Sequence, residues 1–120
     1  MKILSAKTHG IIDYLLVLFL AASPTLFNME GALSTVTYGL AALLLLVTIT
    51  TDFELGLVKL IPFRVHGLLE IVVSLALAIL AVWFYNNGYA AGFNYYIALA
   101  VAIMIVFILT DFKTLPNKRR

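Results

Sequence analysis

The sequence contains no cysteine, and this absence excludes several kinds of chemistry. A chain without thiols forms no disulfide, has no cysteine nucleophile and offers no thiolate to a metal ion. Histidine is also scarce, since the chain has only His9 and His66. Chemistry in this protein therefore depends on a small set of histidine, carboxylate and hydroxyl side chains.

Charged residues are scarce as well. They make up 12% of the 120 residues, whereas 63% are hydrophobic. A soluble domain has about a quarter charged residues, so the composition predicts an integral membrane protein. Four apolar runs lie at roughly 10–28, 32–51, 66–85 and 93–110, each near the ~20 residues that cross a bilayer as a helix. We predict an all-α membrane protein with four transmembrane helices in a single domain, 1–120.

Positive charge is absent from two of the three connections between these runs. The basic residues lie before the first run, between the second and third, or after the fourth: Lys2, Lys7, Lys59, Arg64, Lys113, Lys118, Arg119 and Arg120. The positive-inside rule then predicts that both termini are cytoplasmic. A net charge of +2 at a membrane surface indicates contact with lipid headgroups, not nucleic-acid binding. Aromatic residues near the opposite ends support these depths: Phe27, Trp83, Phe84, Tyr85, Tyr89, Phe93, Tyr95 and Tyr96.

Two short motifs each occur twice. His9-Gly-Ile-Ile-Asp13 opens the first run and His66-Gly-Leu-Leu-Glu70 opens the third, 57 residues later. Thr51-Asp-Phe53 closes the second run and Thr110-Asp-Phe112 closes the fourth, 59 residues later. Two hairpins in the same order predict parallel repeats, about 8–53 and 65–112, related by an axis along the membrane normal.

Three segments resemble the SPW-repeat proteins, small prokaryotic membrane proteins with a Ser-Pro-Trp motif in the first helix of each hairpin. They are 8–13, 21–27 and, most specifically, 51–62. The resemblance covers nearly the whole chain, but the motif is degenerate. One copy reads Ser23-Pro24-Thr25 and the other Ala81-Val82-Trp83, and matching Thr25 to Trp83 needs an offset of 58. The resemblance implies a multi-pass protein of the prokaryotic cytoplasmic (inner) membrane, and it supplies no catalytic residues because the family has no assigned molecular function.

Local signals predict the joints between helices. Thr8 is a candidate N-cap for the first helix, and Pro24 should kink or end that helix. Thr51 and Glu54 match a capping box. We therefore predict a short helix along the membrane interface between the second and third helices, ended by Pro62.

Small residues four positions apart predict close contacts between helices, although ordinary composition explains them equally well. They are Thr35 and Gly39, Ser74 and Ala78, and Ala98 and Ala102.

The ionisable residues at the helix ends form a candidate polar layer or ligand site: His9, Asp13, Asp52, His66, Glu70 and Asp111. A histidine and an acid four residues later share a helix face, so His9 can meet Asp13 and His66 can meet Glu70. Asp52 and Asp111 lie at C-terminal helix ends, where the helix dipole disfavours them. We expect the imidazoles or Arg64 to be their partners.

Three hypotheses fit this layer. It could be a structural girdle that joins the hairpins, a binding site for a metal, porphyrin or quinone headgroup, or part of a proton or ion path. No His-x-x-His or Glu-x-x-His spacing supports the second, and no polar ladder supports the third. We predict a structural or accessory membrane component without enzymatic activity or cofactor. It would act through helix contacts with itself or a partner membrane protein; the alternative is binding of a metal ion, haem or quinone.

Overall fold

Four long helices make up most of the protein. The structure, a computed structural model, describes residues 3–112 and contains α1 (Ala6–Leu26), α2 (Gly31–Ile49), α3 (Phe63–Asn86) and α4 (Ala90–Leu109). Each helix is long and apolar enough to cross a membrane, and α1 packs with α2 as α3 packs with α4. The predicted all-α fold with four transmembrane helices is confirmed. Several basic residues used for the topology prediction lie outside the described residues: Lys2, Lys113, Lys118, Arg119 and Arg120.

Helix α1 begins four residues earlier than predicted, and its cap is a different residue. The Ser5 side chain accepts a hydrogen bond from the backbone N–H of Thr8 at 3.2 Å. An N-cap side chain satisfies the N–H group three residues later, so Ser5 is the cap and Thr8 lies inside the first turn. The prediction of Thr8 as the cap was wrong.

Both hairpin turns end their first helix in the same way. Asn28 and Gly88 follow α1 and α3 with positive φ values of 52° and 89°, the left-handed conformation of a Schellman cap. The next residue bonds back into the helix: Met29 N–H to Pro24 O at 2.9 Å, and Tyr89 N–H to Phe84 O at 2.8 Å. Pro24 therefore lies in the last turn of α1, as its helix-ending role predicts.

Residues 57 apart are buried together along α1 and α3: Ala6 and Phe63, His9 and His66, Gly10 and Gly67, Val17 and Ser74, Leu20 and Leu77, and Pro24 and Ala81. Along α2 and α4 the spacing is 59: Leu33 and Gly92, Thr37 and Tyr96, and Ala41 and Ala100. The change falls at the turn, because α3 is three residues longer than α1 while its connection, 87–89, is one residue shorter than 27–30. Trp83 consequently matches Leu26, and the offset of 58 that matched it to Thr25 was wrong.

The connection between α2 and α3 contains no helix. It forms two short parallel strands, β1 (Thr51–Asp52) and β2 (Ile61–Pro62). The last carbonyls of α2 take up its N–H groups, since Leu57 and Val58 donate to Ile49 while Leu60 and Ile61 donate to Thr50. A separate helix would leave those carbonyls without partners. The predicted interfacial helix, with its capping box at Thr51 and Glu54, was therefore wrong.

The start of the chain repeats this strand pairing. Leu4 forms a parallel bridge with Thr110, and these residues lie 57 before Ile61 and 59 after Thr51, which face each other in β1 and β2. The end of each hairpin thus pairs with the segment that precedes the other hairpin. These pairings define the termini side of the bundle, opposite the two hairpin turns.

Most of the small residues predicted at helix contacts lie on the wrong face. Ser74 is buried and Ala78 is partly buried, whereas the others are exposed: Thr35, Gly39, Ala98 and Ala102. The buried stripes run through positions 37 and 41 of α2 and 96 and 100 of α4. Two positions turn an α-helix by about 200°, so residues midway along these stripes point outward.

Candidate functional site

Four side chains from two helices converge near the termini side. His9 and Asp13 come from α1, and His66 and Glu70 come from α3. One ligand atom from each residue lies within 4.8 Å of all the others. His9 and His66 are almost completely buried, and Glu70 is 9% exposed. We call these four residues the His–carboxylate ring.

The ring alternates nitrogen and oxygen atoms. Nε2 of His9 lies 2.7 Å from Glu70 Oε2 and 3.3 Å from Asp13 Oδ2. Nε2 of His66 lies 3.0 Å from Asp13 Oδ2 and 3.2 Å from Glu70 Oε2. The predicted contacts within each helix are present, but the shorter contact of each histidine crosses to the other hairpin. The ring therefore joins the two halves of the protein.

Two threonines hold the other nitrogen of each imidazole. Nδ1 of His9 lies 2.6 Å from Thr110 Oγ1, and Nδ1 of His66 lies 2.8 Å from Thr51 Oγ1. Each threonine hydroxyl donates its only hydrogen to the carbonyl four residues earlier, at 2.6 Å in both cases. The threonine oxygen must therefore accept a hydrogen bond from Nδ1–H. This assignment leaves the Nε2 atom of both histidines facing the carboxylates.

Sequence analysis missed these threonines. Thr51 and Thr110 share the 59-residue spacing of the aspartates that follow them, so the repeat itself marked them. Their role was overlooked because attention went to the charged neighbour in each motif. Both threonines are fully buried.

Asp52 and Asp111 lie outside the ring. Asp52 belongs to β1, opposite Pro62, and the backbone N–H of Asp111 donates to Leu4 O at 2.8 Å. Both imidazoles already use their two nitrogens for threonine and for the carboxylates of α1 and α3. The interpretation of these aspartates as partners of the imidazoles was therefore wrong, while pairing with Arg64 stays a prediction.

Three phenylalanines close the ring on its termini side. Phe63 lies one turn before His66, and its ring centroid is 4.7 Å from that of Phe112 and 5.9 Å from that of Phe53. The Phe63 ring also contacts both imidazoles, with centroids 5.7 and 6.0 Å apart. Phe53 and Phe63 are 1% and 2% exposed. We call these three rings the aromatic cover.

The repeated glycine after each histidine makes room for this cover. A Cβ atom on Gly10 would collide with the ring of Phe53, and one on Gly67 would come within 2.8 Å of the ring of Phe112. The His-Gly and Thr-Asp-Phe motifs are thus two parts of one packing arrangement in each hairpin. Their sequence spacing reflects this contact between the start of one helix and the end of the next.

The charges of the ring require compensation. Two ionised carboxylates inside the membrane-spanning helices would each cost about 2.5–3.5 kcal/mol on insertion scales, and neutral imidazoles would direct Nε2 lone pairs toward them. Two units of positive charge remove both problems, either as one proton on each Nε2 or as one divalent cation. Glu70 Oε1 is buried and has no hydrogen-bond partner among residues 3–112.

The largest cavity lies at the opposite end of the bundle. It has a volume of about 600 Å³ between the two hairpin turns, and Glu30 is the carboxylate among its lining residues. It therefore lacks the convergent ionisable groups found in the ring.

Comparison of the chain with models of protein families, with curated proteins and with solved structures finds no match.

Proposed function

We propose that this membrane protein binds a divalent transition-metal ion at the His–carboxylate ring and that the ion fastens the two hairpins together. The observation that supports this function most directly is the fixed orientation of the imidazoles. Both present Nε2 to the same two carboxylates because Thr51 and Thr110 hold their Nδ1–H groups. A cation is the natural occupant of a site formed by two such nitrogens and two carboxylate oxygens.

Distances within the ring suit a tetrahedral ion. Bonds of about 2.0–2.2 Å to nitrogen and oxygen place neighbouring ligand atoms about 3.3–3.6 Å apart. The four nitrogen–oxygen distances are 2.7, 3.0, 3.2 and 3.3 Å. The ligands need to separate by only a few tenths of an ångström to about 0.9 Å, and both carboxylates are on side chains that can rotate. Imidazole and carboxylate together favour Zn²⁺ or Fe²⁺.

The threonines supply the outer layer that metal sites commonly have. A ligating histidine usually donates its other N–H group to an oxygen, which fixes the tautomer and the orientation of the ring. Here the Oγ1 atoms of Thr51 and Thr110 are those acceptors. Because they come from the ends of α2 and α4, all four helices contribute to holding the site.

The competing function is a purely structural clasp in which each Nε2 carries a proton. It balances the charge equally well and corresponds to the structural or accessory role expected from the sequence. The two functions differ in what occupies the centre of the ring, so measurement of bound metal separates them.

We further propose that the protein is a multi-pass protein of the prokaryotic cytoplasmic membrane with both termini inside, and that it is of the SPW-repeat type. The described basic residues Lys7, Lys59 and Arg64 all belong to the termini side, which supports this orientation under the positive-inside rule. Single-cysteine labelling at position 59 tests it. Labelling of that position from outside intact cells would contradict the orientation.

Metal analysis of the purified protein tests the main proposal. We expect about one divalent ion per chain, and Co²⁺ substitution should give the visible absorption of a tetrahedral site with nitrogen and oxygen ligands. His9→Ala and His66→Ala should each lose the ion. Thr37→Val is the matched control, because it removes a buried hydrogen bond to Tyr96 of 2.7 Å without touching the ring.

The result that would overturn the proposal is equally clear. If the wild-type protein binds no added Zn²⁺, Fe²⁺ or Co²⁺, while both histidine variants fold but are less stable, the ring is a protonated clasp. Retention of the ion by both histidine variants would also contradict it.

A further inference from the structure

The ring is closed on its termini side and open on the sides of the bundle. The aromatic cover lies between the ring and the helix ends, with Phe53 and Phe63 nearly inaccessible. Two clefts reach the ring from the sides instead, one between α2 and α3 and one between α1 and α4. Since these helices span a membrane, both clefts open toward the hydrocarbon of the bilayer.

The two clefts are equivalent under the repeat but differ in size. Leu43, Leu44 and Val47 of α2 line the first, and residues 59 positions later in α4 line the second. Both clefts include Asp13 and Glu70. The α2–α3 cleft has a volume of about 150 Å³, whereas the α1–α4 cleft has about 70 Å³. An apolar protein cavity of about 150 Å³ accommodates one benzene ring, so only the first cleft is large enough for a six-membered ring.

The lining of the α2–α3 cleft defines the chemistry of its occupant. Apart from Asp13, His66 and Glu70, the lining side chains are aliphatic, and they suit an uncharged hydrocarbon ring. An anionic head group would face two carboxylates, and burying like charges together is unfavourable. Glu70 Oε2 accepts from the imidazoles at 2.7 and 3.2 Å, while Oε1 has no partner among the residues that the structure describes. A hydroxyl donor would satisfy that acceptor.

We propose that the α2–α3 cleft binds a quinol, a lipid-soluble ring molecule whose hydroxyl donates a hydrogen bond to Glu70 and whose hydrocarbon parts lie against α2 and α3. The inference goes beyond the metal site and does not depend on it, because two protons and a divalent ion leave the same cleft and the same unpaired oxygen. The oxidised quinone has carbonyl acceptors in place of hydroxyl donors. The site should therefore prefer the reduced form.

Binding of small quinols to the detergent-solubilised full chain under nitrogen tests this proposal. The probes are 2,6-dimethylhydroquinone, its dimethyl ether and the corresponding benzoquinone, and the dissociation constant is measured by calorimetry. We expect saturable binding of the quinol. The ether and the quinone should bind about 10-fold or more weakly, because each loses a hydrogen bond to a charged acceptor.

A pair of equivalent variants locates the binding site. Val47→Phe fills the α2–α3 cleft, and Val106→Phe places the same side chain in the smaller α1–α4 cleft at the position 59 residues later. We expect Val47→Phe to weaken quinol binding about 10-fold or more, as filling the site removes the space for one ring. Val106→Phe should leave the dissociation constant within about twofold of wild type.

Several outcomes would overturn the proposal. Equal affinity for quinol and ether in the wild type would remove the role of the hydroxyl, and this comparison needs no variant to fold. Tighter binding of laurate than of quinol would show that the site takes an anion. Equal loss in both valine variants would place the ligand elsewhere. Quinol binding by protein that takes up no metal would contradict only the metal site, whereas metal uptake without quinol binding would contradict only the quinol.

Discussion

Replacement of Thr110 by valine tests the central geometric argument with a change of two atoms. Valine has nearly the shape of threonine but cannot accept the hydrogen bond from His9 Nδ1, which is 2.6 Å long and fully buried. Leaving a buried donor without a partner costs about 1–3 kcal/mol. Removing the outer partner of a ligating histidine weakens metal binding about 10–100-fold, which corresponds to about 1.4–2.7 kcal/mol. Two independent considerations therefore give the same range.

The assay is competition for Zn²⁺ between the solubilised protein and a chromophoric chelator. Thr110→Val should bind Zn²⁺ about 10–100-fold more weakly than wild type, and Thr51→Val should lose a similar amount because it holds His66 at 2.8 Å. Thr110→Ser keeps the hydroxyl and should retain most of the affinity. Thr37→Val controls for the loss of a buried hydroxyl far from the ring.

The reasoning fails if Thr110→Val binds Zn²⁺ as tightly as wild type. The imidazole would then not depend on the threonine for its orientation, and the assignment of Nδ1–H as the donor would be wrong. Equal weakening in Thr110→Val and Thr37→Val would indicate a general loss of stability in place of a specific effect on the site.

Two further predictions concern the charge and the packing of the same region. Binding of Zn²⁺ near neutral pH should release about two protons, because the metal replaces the proton on each Nε2; calorimetry in two buffers of different ionisation enthalpy measures this number, and release of none would contradict protonated imidazoles in the metal-free protein. Gly10→Ala should destabilise the protein by about 1–3 kcal/mol through collision with the buried ring of Phe53, whereas Gly39→Ala should not, since no atom lies within 4 Å of its added Cβ. Thermal unfolding followed by circular dichroism compares the two, and equal stability of both variants would show that Phe53 yields to the methyl group.

The connection between α2 and α3 shows why local patterns were insufficient. Thr51 and Glu54 have the spacing of a capping box, which is a statement about hydrogen bonds within a few residues. In the folded protein, Thr51 Oγ1 contacts His66, and the carbonyls of Ile49 and Thr50 bind the connection itself. Partners from the end of α2 and the start of α3 thus replaced the local bonds that the pattern predicts.

The polar residues show the same division. The spacing of four between His9 and Asp13, and between His66 and Glu70, correctly predicted contact within each helix. The helix dipole argument drew attention to Asp52 and Asp111, yet the adjacent threonines proved to be the residues that bind the imidazoles. Hydroxyl groups carry no charge, so neither composition nor helix electrostatics distinguished them from ordinary buried threonines.

The sequence by itself determined the four transmembrane helices, the places where they end and the two histidine–carboxylate pairs. These features depend on hydrophobicity over about 20 residues and on the helical period, and both can be read along one chain. Only the tertiary structure decided that the pairs merge into one ring, that threonines orient it, that phenylalanines cover it and that clefts of unequal size reach it from the sides. Those features join residues 53 to 101 positions apart, and their existence depends on how one hairpin packs against the other.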